Sequence, residues 1–109
     1  MEELTRELRE FACERDWEQF HSPKNLAMAL SVEAAEIVEH FQWLTQEESL
    51  NLSPEKLAEI SDEVGDVLIY LTRLADRLGI DPLQAAMQKV EKNREKYPAG
   101  AVKGSATKR

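Results

Sequence analysis

Apolar residues recur at steps of three and four along most of the chain, and this spacing predicts four helices. The predicted helices run from about Glu3 to Glu18, from Pro23 to about Leu44, from Pro54 to Leu78 and from Pro82 to about Tyr97. The last three each open on a Ser-Pro or Asp-Pro pair, in which the first residue can cap the helix and proline takes the first helical position. Four helices with short connections predict an all-α four-helix bundle.

Two segments fall outside these helices. Residues 45–52 are polar and are predicted to form a loop or a short turn. Residues 99–109 are small and basic, and we expect them to be disordered. Because a chain of this length has room for one modest core, we assign a single all-α domain to residues 1–98.

The second and third predicted helices each carry an acid-x-x-acid pair within or beside a largely apolar stretch. Residues 26–38 are apolar almost all round, which predicts a buried helix, and Glu33 and Glu36 share one of its faces. Glu63 and Asp66 form the same pair on the third helix. One such pair is usually a solvated helix face, but two pairs in apolar surroundings favour bound cations, since unpaired buried carboxylates are costly.

A purely carboxylate ligand set favours a hard cation, Mg²⁺ first and Mn²⁺ second. Zinc is disfavoured because Cys13, His21 and His40 show no ligand spacing. The Glu18-x-x-His21 element occurs once, whereas a carboxylate-bridged di-iron bundle needs two. Gly65, inside the third helix, gives weak support for the close approach of a ligand or of another backbone.

The two acid faces continue into aromatic residues. His40 and Trp43 follow Glu36 at helical spacing, and Tyr70 follows Asp66. Nucleobases stack on aromatic rings. The run of acids followed by aromatic residues therefore predicts a pocket that is lined by carboxylates at one end and by rings for base stacking at the other. Taken alone, a tryptophan is more often a core anchor than a platform for a base.

Charge and cysteine content limit the choice of partner and compartment. The 109 residues carry a formal net charge of −7, which disfavours nucleic acid as a partner. The one cysteine permits no internal disulfide and suits a reducing compartment. No apolar run approaches the roughly 20 residues of a membrane span, and the N-terminus lacks a signal-peptide pattern. We therefore expect a cytoplasmic protein without a membrane partner.

Several segments resemble the MazG-like superfamily and, more narrowly, its dCTP pyrophosphatase branch. They are Arg15–His21, Asn25-Leu26, Glu33-x-x-Glu36, Phe41-Gln42-Trp43, Asp62–Leu71 and Asn93-Arg94-x-x-Tyr97-Pro98. The resemblance covers about residues 4–98. Val32 stands where the broader family has a further acid, a departure that this branch shares. Leu8 stands where animal relatives carry a histidine, which bears on the base contacts.

The resemblance implies an all-α NTP pyrophosphatase, a homodimer or homotetramer, that cleaves a dCTP-like nucleoside triphosphate into its monophosphate and pyrophosphate. It implies that Mg²⁺ is held at the catalytic residues Glu33, Glu36, Glu63 and Asp66. The candidate substrate-binding residues are Trp17, His21, Trp43, Tyr70, Lys89, Asn93 and Arg94. A free carboxylate near the site can accept the proton of the attacking water, and the candidates for this base are Glu39, Glu59 and Asp62. Two alternatives stay open: a non-catalytic helical module that binds nucleotide or protein, and a pyrophosphohydrolase with another base preference.

Overall fold

The computed structural model of the chain describes residues 1–102 and residue 104, and within that part it consists of helices and turns without a strand. The helices are α1 (Glu2–Glu14), α2 (Pro23–Phe41), α3 (Gln46–Ser49), α4 (Pro54–Arg77), α5 (Pro82–Lys96) and α6 (Ala99–Val102), with one 3₁₀ turn at Glu18–Phe20. The predicted all-α class is confirmed.

The predicted caps fix the starts of the three longest helices. The Ser22 hydroxyl accepts from the backbone N–H of Asn25, and the Ser53 hydroxyl accepts from Lys56 in the same way. The Asp81 carboxylate accepts from two backbone N–H groups at the start of α5. Each cap satisfies backbone donors that the first helical turn leaves unpaired. These starts were predictable because a cap depends only on neighbouring residues.

The first helix ends earlier than its apolar pattern predicts. It stops at Glu14 instead of Glu18, because Asp16 adopts a left-handed backbone with φ +54°. The N–H of Trp17 then donates to the carbonyl of Ala12, and the N–H of Asp16 donates to Cys13. This pair of bonds is a Schellman C-cap, with aspartate in the place that glycine usually takes. Gly79, at φ +69°, terminates α4 as predicted.

Two further segments differ from their predicted boundaries. The second helix ends at Phe41, and the predicted loop at residues 45–52 contains the short helix α3. A reciprocal capping box between Thr45 and Glu48 stabilises α3. Residues 99–109 were expected to be disordered. Ala99–Val102 form α6 and Gly104 lies in a turn, while residues 103 and 105–109 lie outside the described part of the chain.

Helix α4 is the centre of the packing within one chain. It packs along α2 over much of its length and contacts α1, whereas α5 makes only marginal contacts with the other helices. The radius of gyration is 17.2 Å, compared with about 13 Å for a compact domain of this size. A single chain is therefore extended, because its fourth long helix does not fold back onto the other three.

Little of the apolar surface is buried within the chain. The buried apolar residues of the described part are Ala12, Leu26 and Ala75. The prediction that residues 26–38 form a buried helix is wrong for a single chain, since Met28, Val32 and Val38 are all more than half exposed. None of the described helices combines the length and the apolar character needed to cross a membrane.

Candidate metal centre and nucleotide site

Three glutamates meet where α2 packs against α4. Glu33 and Glu36 come from α2 and Glu63 from α4, and each offers a carboxylate oxygen within 4.8 Å of the other two. All three residues are half-buried. One oxygen each of Glu33 and Glu63 is inaccessible to water and has no hydrogen-bond partner among the described residues. We call these residues the carboxylate trio.

The pKa values within the trio reflect this crowding. A hydrogen bond with Glu36, together with burial and the neighbouring charges, raises the pKa of Glu63 from 4.5 to about 7. Burial, and then Glu36, raise the pKa of Glu33. Like charges at this separation disfavour ionisation of Glu33 and Glu63. Without a cation, the trio therefore holds at least part of a proton near neutral pH.

The fourth predicted acid lies beside the trio without belonging to it. Asp66 is half-buried one turn after Glu63, and its charge contributes to the raised pKa of both Glu33 and Glu63. Tyr70, also half-buried, follows one turn later on the same face of α4. The inner face of α4 thus carries Glu63, Asp66 and Tyr70 in succession, as the sequence predicts.

The two tryptophans are both available to a ligand. Trp17 is 44% exposed and packs edge-on against Phe11, with ring centroids 5.6 Å apart. Trp43, just beyond the end of α2, is 86% exposed. Neither ring is buried within the described part of the chain. Two large exposed indoles are consistent with sites for a base or for another subunit.

His21 lies in the linker between α1 and α2 and contacts α4. The Arg73 guanidinium is 3.4 Å from its Nδ1. Burial, followed by the charges of Arg73 and Arg77, lowers the pKa of His21. His21 is therefore neutral at pH 7 and available as a hydrogen-bonding group.

The remaining substrate candidates lie on α5. Lys89, Asn93 and Arg94 are all exposed, and Arg94 pairs with Glu91 on its own helix. Because α5 barely contacts the other helices, packing within one chain does not bring these residues to the carboxylate trio. Their predicted role in substrate binding stays a prediction.

The three candidate bases differ in their surroundings. Glu59 is 3.9 Å from His40 Nδ1 and 3.6 Å from the Lys56 ammonium. Glu39 and Asp62 are exposed on α2 and α4. Glu59 thus already pairs with Lys56, whereas Glu39 and Asp62 form no ion pair among the described residues, so these two are the freer candidates.

A buried charge network on α4 was not recognised from the sequence. Arg73 is 4% exposed and contacts both Asp76 and His21, and Asp76 in turn binds Arg9 of α1. The helical step from Tyr70 places Arg73 on the same face, which was visible in the sequence. The Arg73–His21 pair spans 52 residues and the Arg9–Asp76 pair spans 67, so neither pair leaves a local signal in the sequence.

Fold and site together define an all-α protein with a carboxylate trio between two helices. Glu36 pairs with Glu63, and His40 pairs with Glu59. These two pairs show that α2 and α4 run in opposite directions.

The sequence pattern of the MazG-like family matches residues 28–108. The chain belongs to the MazG-like family.

Individual relatives lie close in sequence and in structure. The chain is 46% identical over 110 aligned positions to dCTP pyrophosphatase 1 of Bos taurus and 44% identical to that of Homo sapiens. Each alignment covers 99% of this chain and 65% of the relative, so the chain spans about two thirds of the length of these curated relatives. The crystal structure of a pyrophosphatase from Archaeoglobus fulgidus superposes with a TM-score of 0.85 at 45% identity, covering 90% of this chain and 92% of that chain.

Proposed function

We propose that the protein is a Mg²⁺-dependent nucleoside triphosphate pyrophosphohydrolase that converts dCTP, or a 5-modified dCTP, into dCMP and pyrophosphate, and so cleans the nucleotide pool. The observation that carries the proposal is the carboxylate trio with its unpartnered buried oxygens. It occurs in a chain 44–46% identical to proteins named dCTP pyrophosphatase 1.

The residues present fit a hard divalent cation. Buried oxygens without a donor and carboxyls with raised pKa values both indicate a site that lacks positive charge. Glu33, Glu36 and Glu63 would hold Mg²⁺, with Asp66 as a fourth ligand from the next turn, and Mn²⁺ is a possible substitute. A bound Mg²⁺ supplies neutralisation of phosphate charge and acidifies water.

The reaction itself breaks the bond between the α-phosphorus and the oxygen that bridges to the β-phosphate. The oxygen of a water molecule attacks the α-phosphorus in line, and pyrophosphate leaves with the bridging oxygen. Glu39 or Asp62 accepts the proton that the water releases, since both are exposed and carry no cation partner among the described residues.

Recognition of the nucleoside is assigned to residues outside the trio. Trp17 and Trp43 stack on the base, and His21 offers a hydrogen-bonding group beside it. Because the antiparallel packing of α2 on α4 puts Trp43 and Trp17 at opposite ends of α4 within one chain, one of the two rings comes from another subunit. Tyr70, one turn beyond Asp66, is assigned to the position beside the sugar. Lys89, Asn93 and Arg94 bind phosphate or sugar oxygens from an α5 that another subunit contributes.

The assembly is a homodimer or a homotetramer. Support comes from the extended single chain, from α5 without a packing partner, and from the large apolar residues of α2 and α4 that remain exposed. Exposed apolar patches of this extent on a small soluble domain mark interaction surfaces. The net charge of −7 and the single cysteine support a cytoplasmic protein that binds free nucleotide and no nucleic acid.

The test is a pyrophosphate-release screen over dNTPs, NTPs and 5-substituted dCTPs, first with Mg²⁺ and then with EDTA. We expect selective cleavage of dCTP or its 5-modified forms that EDTA abolishes. Glu36→Gln should abolish turnover, whereas Glu55→Gln, an exposed acid in the first turn of α4, should not change it. Preferential cleavage of dUTP or of a damaged nucleotide would reassign the base preference. Saturable nucleotide binding without any turnover would point to the non-catalytic module instead.

A further inference from the structure

A charged side chain is buried on α4 beyond the carboxylate trio. Arg73 is 4% exposed, less than any other charged residue in the described part of the chain. It lies seven residues after Asp66, which is two helical turns and about 10 Å along the same face. Burying a guanidinium is costly unless its donors are paired, so its partners indicate its role.

One partner links Arg73 to the first helix. Its Nη1 lies 3.3 Å from Asp76 Oδ2. Asp76 also accepts from two nitrogens of Arg9 on α1, with Nε at 2.8 Å. The hydrogen bonds and charge of Arg9, and then the charge of Arg73, lower the pKa of Asp76. An ionised Asp76 is therefore held between two arginines and joins α1 to α4.

The other partner is the linker histidine. Both Nε and Nη2 of Arg73 are 3.4 Å from His21 Nδ1. A guanidinium has donors and no acceptor, so Nδ1 must be the acceptor. His21 then carries its proton on Nε2, and that N–H points away from Arg73. The contact thus fixes both the place and the tautomer of the imidazole.

The segment that Arg73 holds is Trp17–His21. Its first end is joined to α1 by the backbone cap at Asp16, and its last part is joined to α2 by a hydrogen bond of 3.1 Å from Asn25 Nδ2 to the Phe20 carbonyl. Both of these contacts are local in sequence. The Arg73–His21 contact spans 52 residues and sets the segment against the face of α4 that carries Asp66.

We propose that Arg73 is a positioning residue that holds the nucleoside-binding segment Trp17–His21 at a fixed distance from the metal site. The inference rests on the proposed function. A nucleoside triphosphate whose phosphates lie on the trio has its base two or three turns away along α4, where this segment lies. Arg73 acts through His21 and Asp76 and does not itself touch the substrate.

The first test compares Arg73→Met and Arg73→Lys with Arg77→Met, an exposed arginine one turn further along α4. We expect Arg73→Met to raise KM for the nucleoside triphosphate about tenfold, the size of one charge-assisted hydrogen bond, with little change in kcat. Inhibition by Mg²⁺-pyrophosphate, which needs only the metal site, should be unchanged. Arg73→Lys should recover part of the loss. Arg77→Met should match wild type at pH 8, where His21 is neutral with or without the charge of Arg77.

The second test is a double-mutant cycle with His21→Leu. If Arg73 acts through His21, Arg73→Met adds little to the defect of His21→Leu. Additive effects would overturn the proposal, and so would a loss in kcat at unchanged KM or an equal loss in Arg77→Met.

A third readout does not depend on turnover. Amide hydrogen exchange over residues 17–21 should be faster in Arg73→Met than in Arg77→Met. Imidazole ¹⁵N spectra should show the Nε2–H tautomer alone in wild type and in Arg77→Met, and a mixture of the two tautomers in Arg73→Met. Equal exchange in the two variants would overturn the positioning role. If wild type cleaves no triphosphate, the proposed function fails by itself and these measurements still decide whether Arg73 fixes the segment. If Arg73→Met does not fold, Arg73→Lys serves in the same comparison.

Discussion

Lowering the pH is expected to weaken cation binding at the carboxylate trio, and to do so already at pH values far above the ordinary titration range of glutamate. The pKa of Glu63 is raised to about 7 in the metal-free protein, because Glu36 shares a hydrogen bond with it and like charges surround it. A cation must displace that proton, so the apparent Kd follows the factor 1 + 10^(pKa − pH). Between pH 8 and pH 5.5 this gives a loss in affinity of about 30-fold, and the raised pKa of Glu33 makes the loss larger.

The measurement is a titration with Mn²⁺, with free ion followed by electron paramagnetic resonance at half-unit pH steps. Calorimetry with Mg²⁺ in buffers of different ionisation enthalpy counts the protons released. Glu63→Gln should bind more weakly and lose most of the pH dependence, while Glu55→Gln should keep the wild-type curve. A midpoint near 4.5, or an apparent Kd that does not change across this range, would refute the reasoning, because the three carboxyls would then titrate independently.

The same pKa has a consequence for stability without metal. Because the pKa of Glu63 is higher in the folded chain than in the unfolded chain, the folded state binds the proton more tightly. The stabilisation is complete below about pH 4.5 and is lost as the pH rises through 7. Metal-free protein should therefore lose stability over this window. A fixed, saturating Mg²⁺ concentration should raise Tm more at pH 8 than at pH 5.5, as measured by thermal unfolding in both conditions.

Three further predictions concern stability and assembly. Asp16→Gly should raise the free energy of unfolding by about 1 kcal/mol in chemical denaturation, because φ +54° strains any residue with a Cβ, and Asp16→Val should lower it. Gly65→Ala should raise the free energy of unfolding by up to about 1 kcal/mol, since a Cβ there meets no atom of the described residues within 4 Å. A loss of stability or of the oligomer in this variant would instead show that a partner's backbone approaches Gly65. Val38→Lys should shift the oligomer towards monomer in light scattering while leaving the helical circular dichroism unchanged, because Val38 is 58% exposed within the chain. An unaltered mass would place the interface elsewhere.

The parts of the fold that were predictable depend on neighbours in sequence. The Ser22, Ser53 and Asp81 caps act on residues two or three positions away, and the acid pairs share a face through helical spacing alone. The early end of α1 was not predictable, because Asp16 takes a conformation that glycine usually signals. The short helix α3 was predicted only as a loop or a short turn, because its four residues are polar and carry no apolar period.

The parts of the site that were not predictable depend on the register between helices. Sequence spacing put Glu63 and Asp66 on one face, but only the packing of α2 on α4 decides that Glu63 joins Glu33 and Glu36 while Asp66 lies beside them. The burial of Arg73 is of the same kind, since its cost is offset by Asp76 and His21, and His21 belongs to a distant segment. Local pattern cannot rank such residues, because an exposed and a buried arginine look alike in sequence.

The two faces of α2 explain why its apolar pattern overestimated burial in the single chain. The face towards α4 carries residues that are buried or half-buried: Leu26, Glu33, Glu36, Ile37 and His40. Glu33 and Glu36 are the two members of the trio on this helix. The opposite face carries Met28, Val32 and Val38, all largely exposed. A helix that is apolar all round is stable only when both sides are covered, and one chain covers only one side. Folding of the chain therefore completes the face that carries the trio, whereas the apolar face is left for the proposed assembly. A substitution on the apolar face is expected to disrupt such an oligomer without altering the carboxylates of the trio.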